Sequence, residues 1–158
     1  MPRPGIPALD NGPGAIPPVR RRGFSDTARR GWRGSVARFA IVYERRFAGT
    51  VDLRFDGIGG AEVGFGLAPW ARGNGVMTRA LRLVLAWGFG LPGINVVYWR
   101  AQVGNWASRR VAGRCGFRME GTVRGLLEQR GERRDGWIGS LRRGEPLAGQ
   151  PEEPPYGM

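Results

Sequence analysis

GFGLAPWARGNGVMTRALRLVLAWGF, residues 64–89, sets glycines and an arginine directly before a long apolar run. Pro69 cannot donate to a strand ladder, so pairing should stop there and a helix should start near Gly75. Val76, Met77, Ala80, Leu81, Leu83, Val84, Leu85, Trp87 and Phe89 are apolar. Only Thr78, Arg79 and Arg82 interrupt them, which predicts a mostly buried helix. A helix start offers unpaired N–H groups and a partial positive charge, and glycines let another molecule approach that backbone. A strand, a glycine loop and a helix start in this order suit a diphosphate. The stretch is not a P-loop, because GxxxxGK[ST] does not occur, and Gly73 and Gly75 lack the third glycine of a dinucleotide fingerprint. On spacing alone, an anion cradle and a tight strand-to-helix turn stay equally open.

Working outward, residues 37–43 and 46–54 read as two strands, and Glu44-Arg45 between them is long enough only for a hairpin. DGIGG, residues 56–60, is a turn cluster leading into a third strand, AEVGFGL, residues 61–67. Gly64 and Gly66 inside it point to a bulge or a close backbone approach. Residues 95–103 begin almost continuously apolar, as a central strand does. Residues 105–115 read as a helix with Asn105 as cap and Gly116 as stop. Residues 117–124 and 135–142 read as strands around an arginine-rich loop. The sum is a mixed α/β layer fold, a sheet flanked by helices. Residues 1–35, rich in Pro, Gly and Arg, read as a disordered or loosely packed arm, residues 36–143 as the domain, and residues 144–158 as a disordered tail.

The chain has 158 residues and a net charge of +12, with 25 basic residues that are all arginine, and no histidine. That charge attracts polyanions, among them nucleic acid, acidic proteins and phosphorylated cofactors. The missing histidine removes Ser-His and Cys-His nucleophile–base pairs and most zinc and non-haem iron sites, so no metal is expected. Proton transfer is left to carboxylate, Tyr, Cys, Ser or water. One cysteine, Cys115, excludes an internal disulfide, and it reads as a packed, inert thiol. No apolar run approaches the roughly 18 residues of a membrane span, and residues 1–24 lack the apolar middle of a secretion signal. A cytoplasmic protein, monomer or homodimer, is expected.

The loop resembles the acetyl-CoA signature of the GNAT N-acetyltransferases, [Q/R]-x-x-G-x-[G/A], with Arg72 first, Gly75 fourth and Met77 where Gly or Ala is usual. Methionine there is similar to the RimJ/RimL-like branch, which acetylates the N-termini of ribosomal proteins. AEVGFGL resembles that branch's fourth strand. Asn105, Ser108, Ala112, Gly116, Phe117, Glu120 and Gly121 follow its N-x-x-S-x-x-x-A-x-x-x-G-F-x-x-E-G pattern, and RRDGWIGSL resembles its closing D-x-x-x-x-S-L strand. The resemblance covers roughly residues 38–143. The family usually begins with a further strand and one or two helices that wall the acceptor site. Here the Pro/Gly arm and RRRGFSDTARRGWRGS stand in their place, as in an N-terminally truncated member.

The resemblance implies transfer of acetyl from acetyl-CoA to a primary amine, a protein N-terminus or a small molecule, by direct attack in a ternary complex. It implies that the backbone of Phe65, Gly66 and Leu67 pairs with the pantetheine arm. The N–H groups of Arg72, Gly73, Asn74, Gly75, Val76, Met77 and Thr78 would hold the diphosphate, with Asn105 on the arm; Arg109 and Arg110 would reach a nucleotide phosphate, or equally lie on a solvated helix face. Glu62 stands where the histone-acetylating branch has its glutamate base. Partial burial there would disfavour its charged form and make it a better base, whereas an exposed strand carboxylate would be inert. Ser108 matches a serine suggested to protonate the departing thiolate; the plainer reading is a first-turn serine with a local hydrogen bond. Tyr98 is the alternative proton donor, or a core aromatic. Two other readings stay open. A degenerate acetyl-CoA-binding domain would bind without turnover. An arginine-rich nucleic-acid binder would show salt-sensitive RNA binding, although the arginines are scattered and no nucleic-acid motif occurs.

Overall fold

A computed structural model of the chain describes residues 36–149; the arm read at residues 1–35 and residues 150–158 of the tail lie outside them. β1 (Val36–Tyr43) and β2 (Arg46–Phe55) form the expected hairpin. Glu44 and Arg45 take φ of 48° and 62°, the left-handed pair that a two-residue turn needs to match strand twist. β3 (Gly60–Leu67) returns beside β2 after a turn that Asp56 closes, its Oδ1 accepting from the amides of Ile58 (2.8 Å) and Gly60 (2.9 Å). A short 3₁₀ turn at Pro69–Ala71 leads into α1 (Val76–Phe89), the crossover to β4 (Val96–Gln102). α2 (Trp106–Arg114) is followed by β5 (Arg118–Gln129) and β6 (Glu132–Arg142).

The six strands lie in the order β1-β2-β3-β4-β6-β5. Only β3 and β4 run parallel; every other neighbouring pair is antiparallel. Strand alternation sends Val51, Leu53, Ala61, Val63, Val97, Trp99 and Leu141 to one face, where Leu81 and Leu85 of α1 meet them, all of them buried. α2 packs on that same face through Trp99 and beside α1. Arg38, Asp52, Arg54, Glu62, Tyr98 and Arg100 alternate to the other face. Among the described residues, no helix is long and apolar enough to cross a membrane.

α1 is mostly buried, as expected, with Val76, Met77, Thr78, Leu81, Val84, Leu85 and Gly88 facing the core, but its exposed stripe includes the apolar Leu83, 62% exposed. The sheet covers one side of a helix, so a run apolar all round still exposes the far stripe. Other expectations change. The arginine-rich loop is mostly strand: β5 and β6 pair to within a two-residue turn at Arg130-Gly131, through an irregularity at residues 124–126. There the Gly125 amide donates to Asp135 Oδ1 at 2.9 Å. The tail does not begin loose. Leu147 packs against the core, and a Cβ at Gly116, itself at φ 94°, would come within 2.3 Å of the Pro146 carbonyl oxygen.

Candidate cofactor site

β3 and β4 pair from Gly60↔Val96 to Val63↔Trp99 and no further. Beyond that point β3 stays on β2 to Leu67↔Gly49, and β4 stays on β6 to Gln102↔Gly136. The sheet therefore opens between residues 64–67 and 100–102. On β3, some backbone groups along this stretch must face the opening, since β2 uses only alternate ones. A Cβ at Gly66 would meet no atom within 4 Å.

The opening leads to the start of α1. Gly75 caps it in a left-handed conformation (φ 67°, ψ 14°), and Gly73 also has a positive φ, 79°. These two turns are open to glycine at little strain, and they direct successive amides outward. Among the described residues, the amides of residues 73–78 have no hydrogen-bond acceptor. The Arg72 amide differs, donating to the Pro69 carbonyl at 3.2 Å. Its guanidinium Nε donates to the Leu67 carbonyl at 3.1 Å, tying the strand end to the loop. Asn74 Nδ2 donates to the Arg72 carbonyl at 3.1 Å and stiffens the same turn. Val76, Met77 and Thr78 sink their side chains into the core while their amides stay at the mouth. The first turn of α1 holds no acid. Free amides, a helix dipole and nearby Arg72 and Arg79 give this end a positive local field that suits an anion.

Asn105 caps α2, its Oδ1 accepting from the Ser108 amide at 3.2 Å. Ser108 also does something not local: its Oγ accepts from the buried Trp99 indole Nε1 at 3.0 Å. With that lone pair engaged, the hydroxyl hydrogen is free to point elsewhere. The Arg109 guanidinium lies over the rings of Trp137 (4.6 Å) and Trp106 (5.4 Å), which form an edge-to-face pair, so it is neither a bare solvated arginine nor aimed freely at a phosphate. Arg110 is exposed.

Glu62 and Tyr98 are register partners on the sheet face away from the helices. Tyr98 is 40% exposed and is no core aromatic; it borders a depression with Ser140, Glu120 and Arg118. Glu62 is neither isolated nor a free surface acid. Its Oε1 accepts from Arg54 Nη2 at 2.9 Å and its Oε2 from Arg100 Nη2. Both oxygens of the partly buried carboxylate are thus engaged by arginines. Arg54 and Arg100 did not emerge from the sequence. Arg54 was within reach: the short turn at residues 56–60 sets Phe55 opposite Ala61, and hence Arg54 opposite Glu62. Arg100 depends on a non-local pairing and left no such trace.

Cys115 is fully buried beneath α1, its Sγ 3.5 Å from the Thr78 carbonyl oxygen. Burial pushes the thiol from 9.0 up to about 11, against a smaller pull downward from the Arg82 guanidinium. It is an inert packing group.

A family model described as an acetyltransferase (GNAT) domain matches residues 17–118, beginning inside the segment read as an arm. "Putative ribosomal N-acetyltransferase YdaF" of Bacillus subtilis (strain 168) is 33% identical over 97 residues, 60% of this chain and 53% of that protein. The chain thus spans about half the length of that curated relative. Among solved structures, RimJ of Mycobacterium smegmatis in complex with a CoA disulfide matches with a TM-score of 0.63 and 25% identity over 68% of this chain and 53% of that one. The microcin C7 self-immunity acetyltransferase MccE, in complex with acetyl-CoA and AMP, matches with a TM-score of 0.61 and 27% identity over 68% and 61%. The family model spans β1 to the start of β5, including the glycine loop and the start of α1, and the chain belongs to the GNAT acetyltransferase domain family.

Proposed function

We propose that this chain is an acetyl-CoA-dependent N-acetyltransferase that acts on a primary amine. The observation that carries the reading is the parting of β3 and β4 beyond Val63 and Trp99, beside a helix start with amides that have no acceptor. The residues fit the group. The backbone of Phe65, Gly66 and Leu67 would receive the pantetheine arm as an added strand, and the bare Gly66 leaves that approach unobstructed. The amides of residues 73–78 would hold the diphosphate, with Arg72 fixing the loop. Asn105 would meet the arm from the β4 side. When bound, acetyl-CoA supplies the acetyl group as an activated thioester. Two relatives named above are described as bound to acetyl-CoA or a CoA disulfide, and their folds agree with this one.

The acceptor is read as a protein α-amino group, with small amines second, because one relative carries a ribosomal N-acetyltransferase name. An α-amino group titrates near about 7.7–8.0, so a reactive fraction is neutral at physiological pH without a strong protein base. Holding the amine and the thioester together supplies much of the rate. Ser108, whose oxygen is anchored by Trp99, would give a proton to the departing sulfur, with Tyr98, on the opposite sheet face, the alternative donor.

Calorimetric titration with coenzyme A and acetyl-CoA tests the cofactor. Thiol release from acetyl-CoA, with N-terminal peptides and small amines supplied in turn, tests the reaction. Binding with amine-dependent thiol release supports the transferase. Binding without release on any acceptor supports a degenerate cofactor-binding domain. No heat with either ligand refutes both.

A further inference from the structure

Glu62 sits at the vertex where the sheet opens. Its register partner is Tyr98, and the next pair, Val63↔Trp99, is the last that β3 and β4 share. Arg100 is the first β4 residue past that pair, on the same sheet face as Glu62. The Arg100 Nη2 to Glu62 Oε2 contact therefore crosses the last rung diagonally, from the paired strand to the one that is leaving. Glu62 Oε1 is held from the other side by Arg54, its partner on β2. Arg54 and Arg38 in turn flank Asp52, at 3.6 and 3.8 Å. Gly64 makes the reach possible: a Cβ there would stand 3.0 Å from Asp52 Oδ1 and 3.2 Å from Arg54 Nη2, in the space these side chains occupy. A charged chain thus runs across β1, β2, β3 and β4, and its last link is the only one that spans the point of separation.

We infer that the Glu62–Arg100 ion pair is a rivet that holds β4 to β3 at the vertex and sets the width of the slot for the arm of coenzyme A, which makes Glu62 a positioning residue and not the proton acceptor. The inference rests on the cofactor reading above. It separates two arms of one carboxylate. Past Glu62, β2 and β3 stay fully paired, so the Arg54 link has no opening to control. The Arg100 link does.

The test is a set of coenzyme A titrations on the full chain with Arg100→Ala, Glu62→Gln, Arg54→Ala, Arg100→Lys and the Arg100→Ala/Glu62→Gln double variant, each checked for a cooperative thermal transition. Arg100→Ala and Glu62→Gln should each raise Kd by roughly three- to fivefold, the scale of a partly exposed ion pair. The double variant should be no worse than either. Arg100→Lys should restore most of the binding, and Arg54→Ala should leave it near wild type. A general loss of stability would instead make Arg54→Ala and Arg100→Ala alike, and would overturn the inference. Kd unchanged in Glu62→Gln, with the acid limb of the thiol-release pH profile lost, would also overturn it and restore Glu62 as the base. No heat from the wild type would bring down the cofactor reading and this inference together; normal wild-type binding with unaffected variants would bring down the inference alone.

Discussion

The Trp99 indole Nε1 donates to Ser108 Oγ at 3.0 Å, joining the most buried aromatic of β4 to the first turn of α2. Ser108→Ala leaves an N–H without an acceptor at a residue only 1% exposed, which should cost about 1–3 kcal/mol in urea unfolding. Trp99→Phe removes both polar partners' bond but strands only the more accessible hydroxyl, with a cavity cost instead. If Ser108 also serves the reaction, Ser108→Ala lowers kcat while the Kd for coenzyme A stays put. An unchanged kcat would confine the serine to the fold.

Gly66 separates folding from binding. A side chain there touches nothing in the protein, so Gly66→Val should leave the thermal transition within a degree or two, since valine suits a strand. The isopropyl group projects from the sheet face beside the proposed arm and crowds its approach to the strand, so coenzyme A affinity should drop roughly tenfold, about 1.4 kcal/mol. Equal affinity for variant and wild type would move the arm elsewhere.

Arg143 ties down the far end of α1. Its guanidinium donates to the carbonyls of Phe89 (2.5 Å), Ile94 (2.7 Å) and Leu91 (2.9 Å), which close the helix and lead into β4. Carbonyls at a helix end favour a cation, and bonds from a charged donor are the stronger kind. Arg143→Ala should lose about 2 kcal/mol and lower Tm by several degrees. Arg143→Lys should recover only part of this, because a point charge does not reproduce a planar fork reaching three oxygens. Differential scanning calorimetry on the two variants decides it.

Cys115 gives a pH signature. In the folded chain the thiol keeps its proton up to about 11, whereas the unfolded chain gives it up near 9.0. Between those values the folded state binds more protons, so stability falls as pH rises. The contribution is fully present below about pH 9 and lost above about 11, up to roughly 2–3 kcal/mol in all. Cys115→Ala should lack this fall, so the gap in unfolding free energy between wild type and variant narrows from pH 8 to 11. Parallel curves for the two proteins would refute it.

Much of this was legible in the sequence because it is local. Pro69, Gly73 and Gly75 mark the strand end and helix start by their own dihedral limits, and Asn105 caps α2 through a bond to a residue three positions on. The β1–β2 turn needs only two residues able to take positive φ. The hairpin tip at residues 124–135 escaped because its only apolar residues, Leu126 and Leu127, are adjacent rather than alternating and the rest are polar or glycine, so alternation is silent there. The surroundings of Glu62 escaped because Arg100 lies 38 positions away and meets it only once β3 and β4 run side by side.

By itself, then, the sequence determined the order of elements and the turn at residues 72–78, since both follow from steric and hydrogen-bonding preferences within a few residues; the family was legible only as a resemblance of motifs in order. Tertiary structure alone decided where the parallel strands part, which face each charge occupies, and that both oxygens of Glu62 meet arginines. Those outcomes depend on contacts between distant segments, whose geometry is fixed only when the sheet closes around a shared core.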